Sequence, residues 1–136
     1  MNQEFITFIK EHHVLNISSH EDGKTWSASC FYAFLEKDST FVFASDKKTR
    51  HMQNIAKNPL VSGTITLETK EIGLIRGIQF EGSVKKASLK AKKAYLLSYP
   101  FAAALAPSLW ELEITYAKLT DNRLGFGKKI EYRAER

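Results

Sequence analysis

Ser45-Asp46-Lys47-Lys48-Thr49-Arg50-His51-Met52-Gln53-Asn54-Ile55-Ala56-Lys57-Asn58-Pro59 follows an apolar run, Thr40-Phe41-Val42-Phe43-Ala44. The run reads as a strand. The stretch after it turns helical, because Met52, Ile55 and Ala56 fall at i, i+3 and i+4 on one face. Asp46 or Thr49 can cap the helix start, and Asn58-Pro59 stops it. Lys47, Lys48 and Arg50 crowd the N-terminal end, where the backbone dipole is already positive; each unanswered cation there costs about 0.3–1 kcal/mol. One reading is an anion site, in which free N–H groups, a hydroxyl and several cations hold a phosphate. The other is a solvated lysine-rich turn whose charges point apart, since exposed charges contribute little. The charge pattern alone leaves both open.

A chain of 136 residues suits a single domain, residues 1–136, large enough for a real core. Its 43% hydrophobic and 26% charged content is ordinary for a globular protein, and nine phenylalanines point to a filled interior. No apolar run reaches the ~20 residues a membrane span needs. Met1-Asn2-Gln3-Glu4 has neither a basic nor an apolar leader region, so no signal peptide is expected. A single cysteine rules out an internal disulfide framework and fits a reducing cytoplasm. The net charge of +5 permits nucleic-acid binding without demanding it, and no zinc-finger spacing or other nucleic-acid motif is present.

Working outward, Phe5, Phe8 and Ile9 make residues 3–12 a short amphipathic helix, and Val14 to Ser19 reads as a strand. Asp22-Gly23 lies at the centre of a hairpin turn. Thr25 to Glu36 is a long strand with Trp26, Ala28, Cys30, Tyr32 and Phe34 on one face. Past the organising helix, Leu60 to Glu68 alternates as a half-buried strand. Ile72 to Lys85 reads as a further strand, and its Gly73, Gly77 and Gly82 suggest bulges or close approach of another group. Ser88 can cap a helix to about Tyr99, followed by a short turn at 101–106. Leu109 to Leu119 is a strand, and Leu124 to Tyr132 holds the last one. No repeat or linker interrupts the pattern. The expected architecture is mainly β: a six- to seven-stranded Greek-key barrel with flanking short helices.

The element order, with Phe43-Ala44-Ser45-Asp46-Lys47-Lys48-Thr49-Arg50 and Asn58-Pro59, resembles the FMN-binding split barrel of pyridoxamine-phosphate oxidases and related flavin reductases. Within it the chain is similar to bacterial YhbP-like proteins, through Phe31-Tyr32, Lys48-Thr49-Arg50-His51, Leu74 to Phe80 and Asp121 to Lys129. The resemblance covers nearly the whole chain. It implies a homodimer with FMN in a cleft between subunits. Ser45, Lys48, Thr49 and Arg50 would hold the phosphate, and Ala28, Ser29 and Cys30 would face the isoalloxazine ring, largely through backbone groups. Gln79 or its neighbour Gly77, with the Thr120 to Lys128 segment including Asn122, would close the pocket from the partner chain. Two departures stand out. Where the oxidase pattern has a basic residue in the second strand, this chain has Ser27, Ser29 and Phe31. The oxidases' C-terminal tryptophan and arginine have no counterpart, and Thr120, Asn122 and Lys128 stand near that place. Both argue against pyridoxamine-phosphate oxidation.

Other residues carry weaker signals. Cys30 reads as a buried, inert thiol with no base beside it. His12 and His13 face different ways and make no metal pair; no metal site is expected. His51 is open between the surface and a supporting contact at the phosphate. Trp26 and Trp110 read as core or interface residues, and Phe126 as core or a ligand cover. Arg76, on an apolar strand face, needs a partner: Glu111, Glu113 or a ligand phosphate. The lysines between Lys85 and Lys93 read as a solvated helix face.

Three functions follow. The first is an FMN-binding oxidoreductase, with NAD(P)H as a candidate reductant. No acid/base residue stands out, so neither catalytic residues nor a substrate are named. The second is a non-catalytic module binding a flavin, haem, F420 or a phosphorylated metabolite. The third is a basic nucleic-acid-binding dimer.

Overall fold

The computed structural model describes residues 1–135. Seven antiparallel strands are found among them: β1 (Val14–Glu21), β2 (Lys24–Leu35), β3 (Thr40–Ala44), β4 (Leu60–Thr66), β5 (Arg76–Lys86), β6 (Leu109–Asp121) and β7 (Lys129–Arg133). Three helices accompany them: α1 (Gln3–Glu11), α2 (Arg50–Lys57) and α3 (Leu89–Ser98). The sheet runs β3-β2-β1-β4-β5-β6-β7, and β6 also pairs with β3. That extra pairing closes six strands into a ring and leaves β7 as an extension on the far half of β6. The expected mainly-β barrel with flanking short helices is the fold observed.

Local chemistry explains each corner. The β1–β2 hairpin turns at Asp22 and Gly23, both with positive φ, as the Asp-Gly signal requires. β5 shifts register between Glu81 and Gly82. A Cβ on Gly82 would stand 2.4 Å from the Glu113 carbonyl oxygen, so only glycine lets the bulged strand lie this close to β6. Thr49, not Asp46, caps α2; its side chain accepts from the Met52 N–H at 3.4 Å.

The interior follows the period-2 alternation. Leu15, Ile17, Ile65, Ile78, Phe41, Phe43 and Leu112 fill the ring. α1 closes it with Phe5, Phe8 and Ile9, and α2 adds Met52 and Ile55. Each such side chain contributes about 1.5–3 kcal/mol by burial. A second cluster lies outside the ring, where Ala91 and Tyr95 of α3 cover Ala33, Val42 and Leu109.

Several expectations change. The alternating stretch after Glu71 is not all strand: Ile72–Leu74 is a 3₁₀ turn, and β5 starts at Arg76. The segment 124–128 turns rather than extends, with Gly125 and Gly127 at positive φ, so the last strand begins only at Lys129. Phe126 is 86% exposed and packs in no core. Ala56 is exposed, and the buried face of α2 includes His51 and Asn54. Arg76 pairs with neither Glu111 nor Glu113, because the register sets it opposite Asp121 while Glu111 lies opposite Lys85. Its Nη1 reaches Glu11 at 3.4 Å and its guanidinium lies over Phe8.

Candidate functional site

The loop from Ser45 to Thr49 leaves β3 and enters α2. The Ser45 N–H donates to the Ser108 carbonyl at 3.0 Å, and the Trp110 indole N–H donates to the Ser45 carbonyl at 2.8 Å. The Asp46 carboxylate accepts the Lys48 N–H at 2.8 Å, so the one acid in the loop is held against the backbone. Thr49 Oγ1 donates to the Asp46 carbonyl at 2.8 Å, and the Gln53 amide donates to the Lys48 carbonyl at 3.0 Å. Lys47, Lys48 and Arg50 form no ion pair among the described residues, and Lys48 and Arg50 stand exposed at the helix start. Arg50 instead places its guanidinium 4.3 Å above the Trp26 ring. A stack of that kind contributes about 0.5–1 kcal/mol at an exposed position.

His51 sits under this loop, only 8% exposed. Its Nε2 lies 2.5 Å from Ser45 Oγ and 3.4 Å from Thr49 Oγ1. Burial penalises the charged ring and lowers its pKa from the ordinary value. The imidazole therefore fixes the Ser45 hydroxyl, while the Thr49 hydroxyl is held by the Asp46 carbonyl. Neither this contact nor the Trp26–Arg50 stack was visible in local sequence. His51 carries only the weak signal of standing in the first helical turn, and Trp26 is distant in the chain.

β2 supplies a second surface. β3 pairs with it only from Tyr32 to Leu35, whereas β1 pairs with it from Lys24 to Phe31. The Tyr32 N–H bonds the His13 carbonyl. By antiparallel alternation, Ala28 and Cys30 then direct their backbone groups to β1, while Ser27, Ser29 and Phe31 direct theirs to the edge that no strand covers. Ala28 and Cys30 turn their side chains inward, Cys30 into the core, and burial pushes its thiol up to about 11. Ser29 faces outward and donates to Asn16 Oδ1 at 2.7 Å, and Asn16 in turn donates to Thr64 Oγ1 at 3.2 Å. Of the three β2 positions, Ser29 alone combines an outward side chain with backbone groups at the open edge.

The remaining candidates lie apart. Gln79 is exposed on β5, paired with Thr64, which stands in the same lateral row as Asn16 and Ser29. Three strand spacings, about 14 Å, separate Gln79 from Ser29 within one chain. Thr120 pairs with Gly77 and Lys129. Asn122 braces its turn: its N–H bonds the Ile75 carbonyl, its Nδ2 the Ile72 carbonyl, and its Oδ1 accepts the Gly127 N–H. Lys128 is exposed in that turn. Ser45, Lys48, Thr49 and Arg50 thus cluster, with Ser29 on the adjacent strand; Gln79, Thr120, Asn122 and Lys128 belong to another part of the barrel.

Among the described residues no three His, Cys, Asp or Glu side chains converge as metal ligands, and no helix is long and apolar enough to cross a membrane.

Comparison with known proteins places this geometry. Residues 1–121 match the family described as pyridoxamine 5'-phosphate oxidase. A UPF0306 protein of Yersinia pestis is 36% identical over 129 residues, covering 92% of this chain and 88% of its own length. A haem-binding protein from Mycobacterium smegmatis shares the fold with a TM-score of 0.78 at 17% identity; the alignment covers 93% of this chain and 55% of that one. A FAD-binding protein from Mesorhizobium loti gives 0.71 at 12% identity, covering 88% and 94%. Split-barrel neighbours thus include proteins that hold a haem or a flavin. With residues 1–121 matched and a relative aligned over nearly its whole length, the chain belongs to the pyridoxamine 5'-phosphate oxidase family.

Proposed function

We propose that this chain is an FMN-binding protein acting as a homodimer. The observation that carries the reading is the cationic ledge at the start of α2, where Lys48 and Arg50 have no carboxylate partner among the described residues and Thr49 caps the helix. A phosphate there would meet helix N–H groups, two cations and the Ser45 and Thr49 hydroxyls. The ring would lie along the uncovered edge of β2, where Ser27 and Ser29 offer backbone donors and acceptors. Ala28 and Cys30, with side chains turned inward, would support the strand without touching the ring. Gln79, Thr120, Asn122 and Lys128 lie on β5, β6 and the turn after it, away from this ledge, and would serve the site of a second copy.

FMN would supply hydride or electron transfer, with NAD(P)H as reductant. The protein's share is binding and orientation. Arg50 braced on Trp26 fixes one phosphate contact, and His51 fixes the direction of the Ser45 hydroxyl.

The second reading is a non-catalytic carrier for a flavin, haem, F420 or phosphorylated metabolite. It is favoured by the outward face of β2: Ser27, Ser29 and neighbouring Asn16 cannot exchange protons near neutral pH. Mass spectrometry of the small molecule released from protein purified without added cofactor tests both. FMN bleached by NAD(P)H supports the oxidoreductase; bound FMN without turnover supports the carrier. Protein that neither carries FMN nor takes it up when titrated ends the FMN proposal.

A further inference from the structure

Lys47, Lys86 and Lys92 come from three separate segments, the loop before α2, the end of β5 and α3, and line one cavity of about 320 Å³. Ala87, Pro107, Ser108, Leu109 and the half-buried Trp110 complete its lining, a mixed polar and apolar surface. Among the described residues no carboxylate lines it, and none of the three lysines forms an ion pair. The neighbouring lysines behave differently. Lys85 stands 4.0 Å from Glu111, and Lys90 lies 2.7 Å from Asp38. Lys85 turns to the acidic side, and Lys86, at the strand end, borders both this cavity and the neighbouring one lined by Asp38, Glu111 and Glu113. Within the segment read in sequence as one solvated basic face, Lys85 and Lys90 are paired, and Lys86 and Lys92 have no ion pair among the described residues.

From this arrangement we infer that the cavity is a binding site for a nucleotide carrying two or more phosphate charges. Three like charges around one cavity repel one another unless an anion joins them. Lysine ammoniums suit phosphate oxygens, and the Trp110 ring, opposite Lys86 in the β5–β6 register, suits the face of a base. The volume lies at the low end of small-ligand sites, enough for a nucleoside with its phosphates at the open rim. The Trp110 indole N–H is held by the Ser45 carbonyl, so the ring is fixed before a ligand arrives. The site does not depend on the FMN reading, because Lys86 and Lys92 are not part of the α2 ledge.

The test is calorimetry with ADP, NADPH, adenosine and inorganic pyrophosphate on the full chain, with Lys86→Ser/Lys92→Ser as the variant. Both lysines are exposed, and an unchanged melting curve checks that the variant folds. ADP should bind and quench tryptophan fluorescence; pyrophosphate should bind more weakly, and adenosine not measurably. The variant should weaken ADP by about tenfold or more while FMN affinity stays unchanged. NADPH binding with the same dependence on Lys86 and Lys92, and tighter than ADP, would identify a dinucleotide as the occupant. Absence of ADP and NADPH binding, or binding indifferent to the two lysines, overturns the inference. So does a single-stranded oligonucleotide that binds more tightly than either and depends on the same lysines, since the surface would then be a nucleic-acid face.

Discussion

Ser45 Oγ and His51 Nε2 stand 2.5 Å apart across the first turn of α2, inside the loop where every cation of the ledge begins. His51 is buried and its pKa is lowered by desolvation, so the folded state favours the neutral ring. The unfolded chain takes up a proton near the ordinary histidine value of about 6.5, before the folded chain does. Stability from this residue is therefore complete above that pH and declines as pH falls toward the lower folded value. Melting temperatures between pH 5 and 8 should drop on the acid side, and His51→Gln should flatten that drop. A wild-type and variant pair with parallel profiles would remove His51 from the account.

Lys48→Ala/Arg50→Ala should weaken FMN by about tenfold or more, since two charge-assisted contacts to phosphate are lost. Quenching of FMN fluorescence on titration reads this directly. The ligand-free fold should not suffer, because each removed cation sat at the positive end of a helix dipole and opposed it by about 0.3–1 kcal/mol. Losing the Arg50 stack on Trp26 offsets part of that gain. Unchanged affinity would place the phosphate elsewhere.

The fold was legible where a local signal settles a local geometry. Asp22-Gly23 fixed the hairpin, the alternation of β2 fixed its inward face, and Thr49 with Asn58-Pro59 framed α2. The pattern failed at Ile72 to Ile75, where apolar residues alternate but a 3₁₀ turn leaves Ile72, Leu74 and Ile75 exposed. Alternation reports a half-buried strand only if a neighbour is there to cover one face. Partners distant in sequence were also invisible: Arg76 meets Glu11, and Arg50 meets Trp26. The candidate site was legible only as a charge pattern at α2. Its geometry on β2 was not, because which residues face the open edge depends on the register with β1 and on where β3 stops.

Gly63 lies on the inner face of β4 under the Phe80 ring. A Cβ there would stand 2.1 Å from the Asn16 carbonyl oxygen and 2.3 Å from Phe80 Cζ. Gly63→Ala should destabilise the protein by about 1–3 kcal/mol or more, seen as a lower urea midpoint. Phe80→Leu added to Gly63→Ala should recover only part of the loss. The ring can be shortened, but the Asn16 carbonyl belongs to the β1–β4 ladder and cannot move without breaking it. Full recovery by the double variant would show that the backbone contact relaxes freely.

Cys30 tests the inward turn of β2. Its side chain packs in the barrel core, and burial pushes the thiol to about 11, so the thiolate that reacts with disulfide or maleimide reagents is scarce at neutral pH. At pH 7.5 the native protein should label far more slowly than a free thiol, and the rate should rise with urea in step with unfolding. The expectation bears on the site as well. If Cys30 is turned inward, the adjacent Ser29 is turned outward, and a flavin lying along β2 meets Ser29 rather than sulfur. Cys30→Ala should accordingly lower stability by about 1–2 kcal/mol through the cavity it leaves, with FMN affinity unaltered, whereas Ser29→Val should leave stability nearly intact and weaken FMN. Rapid labelling of native Cys30, or protection of it by added FMN, would mean that β2 presents its other face to the ligand.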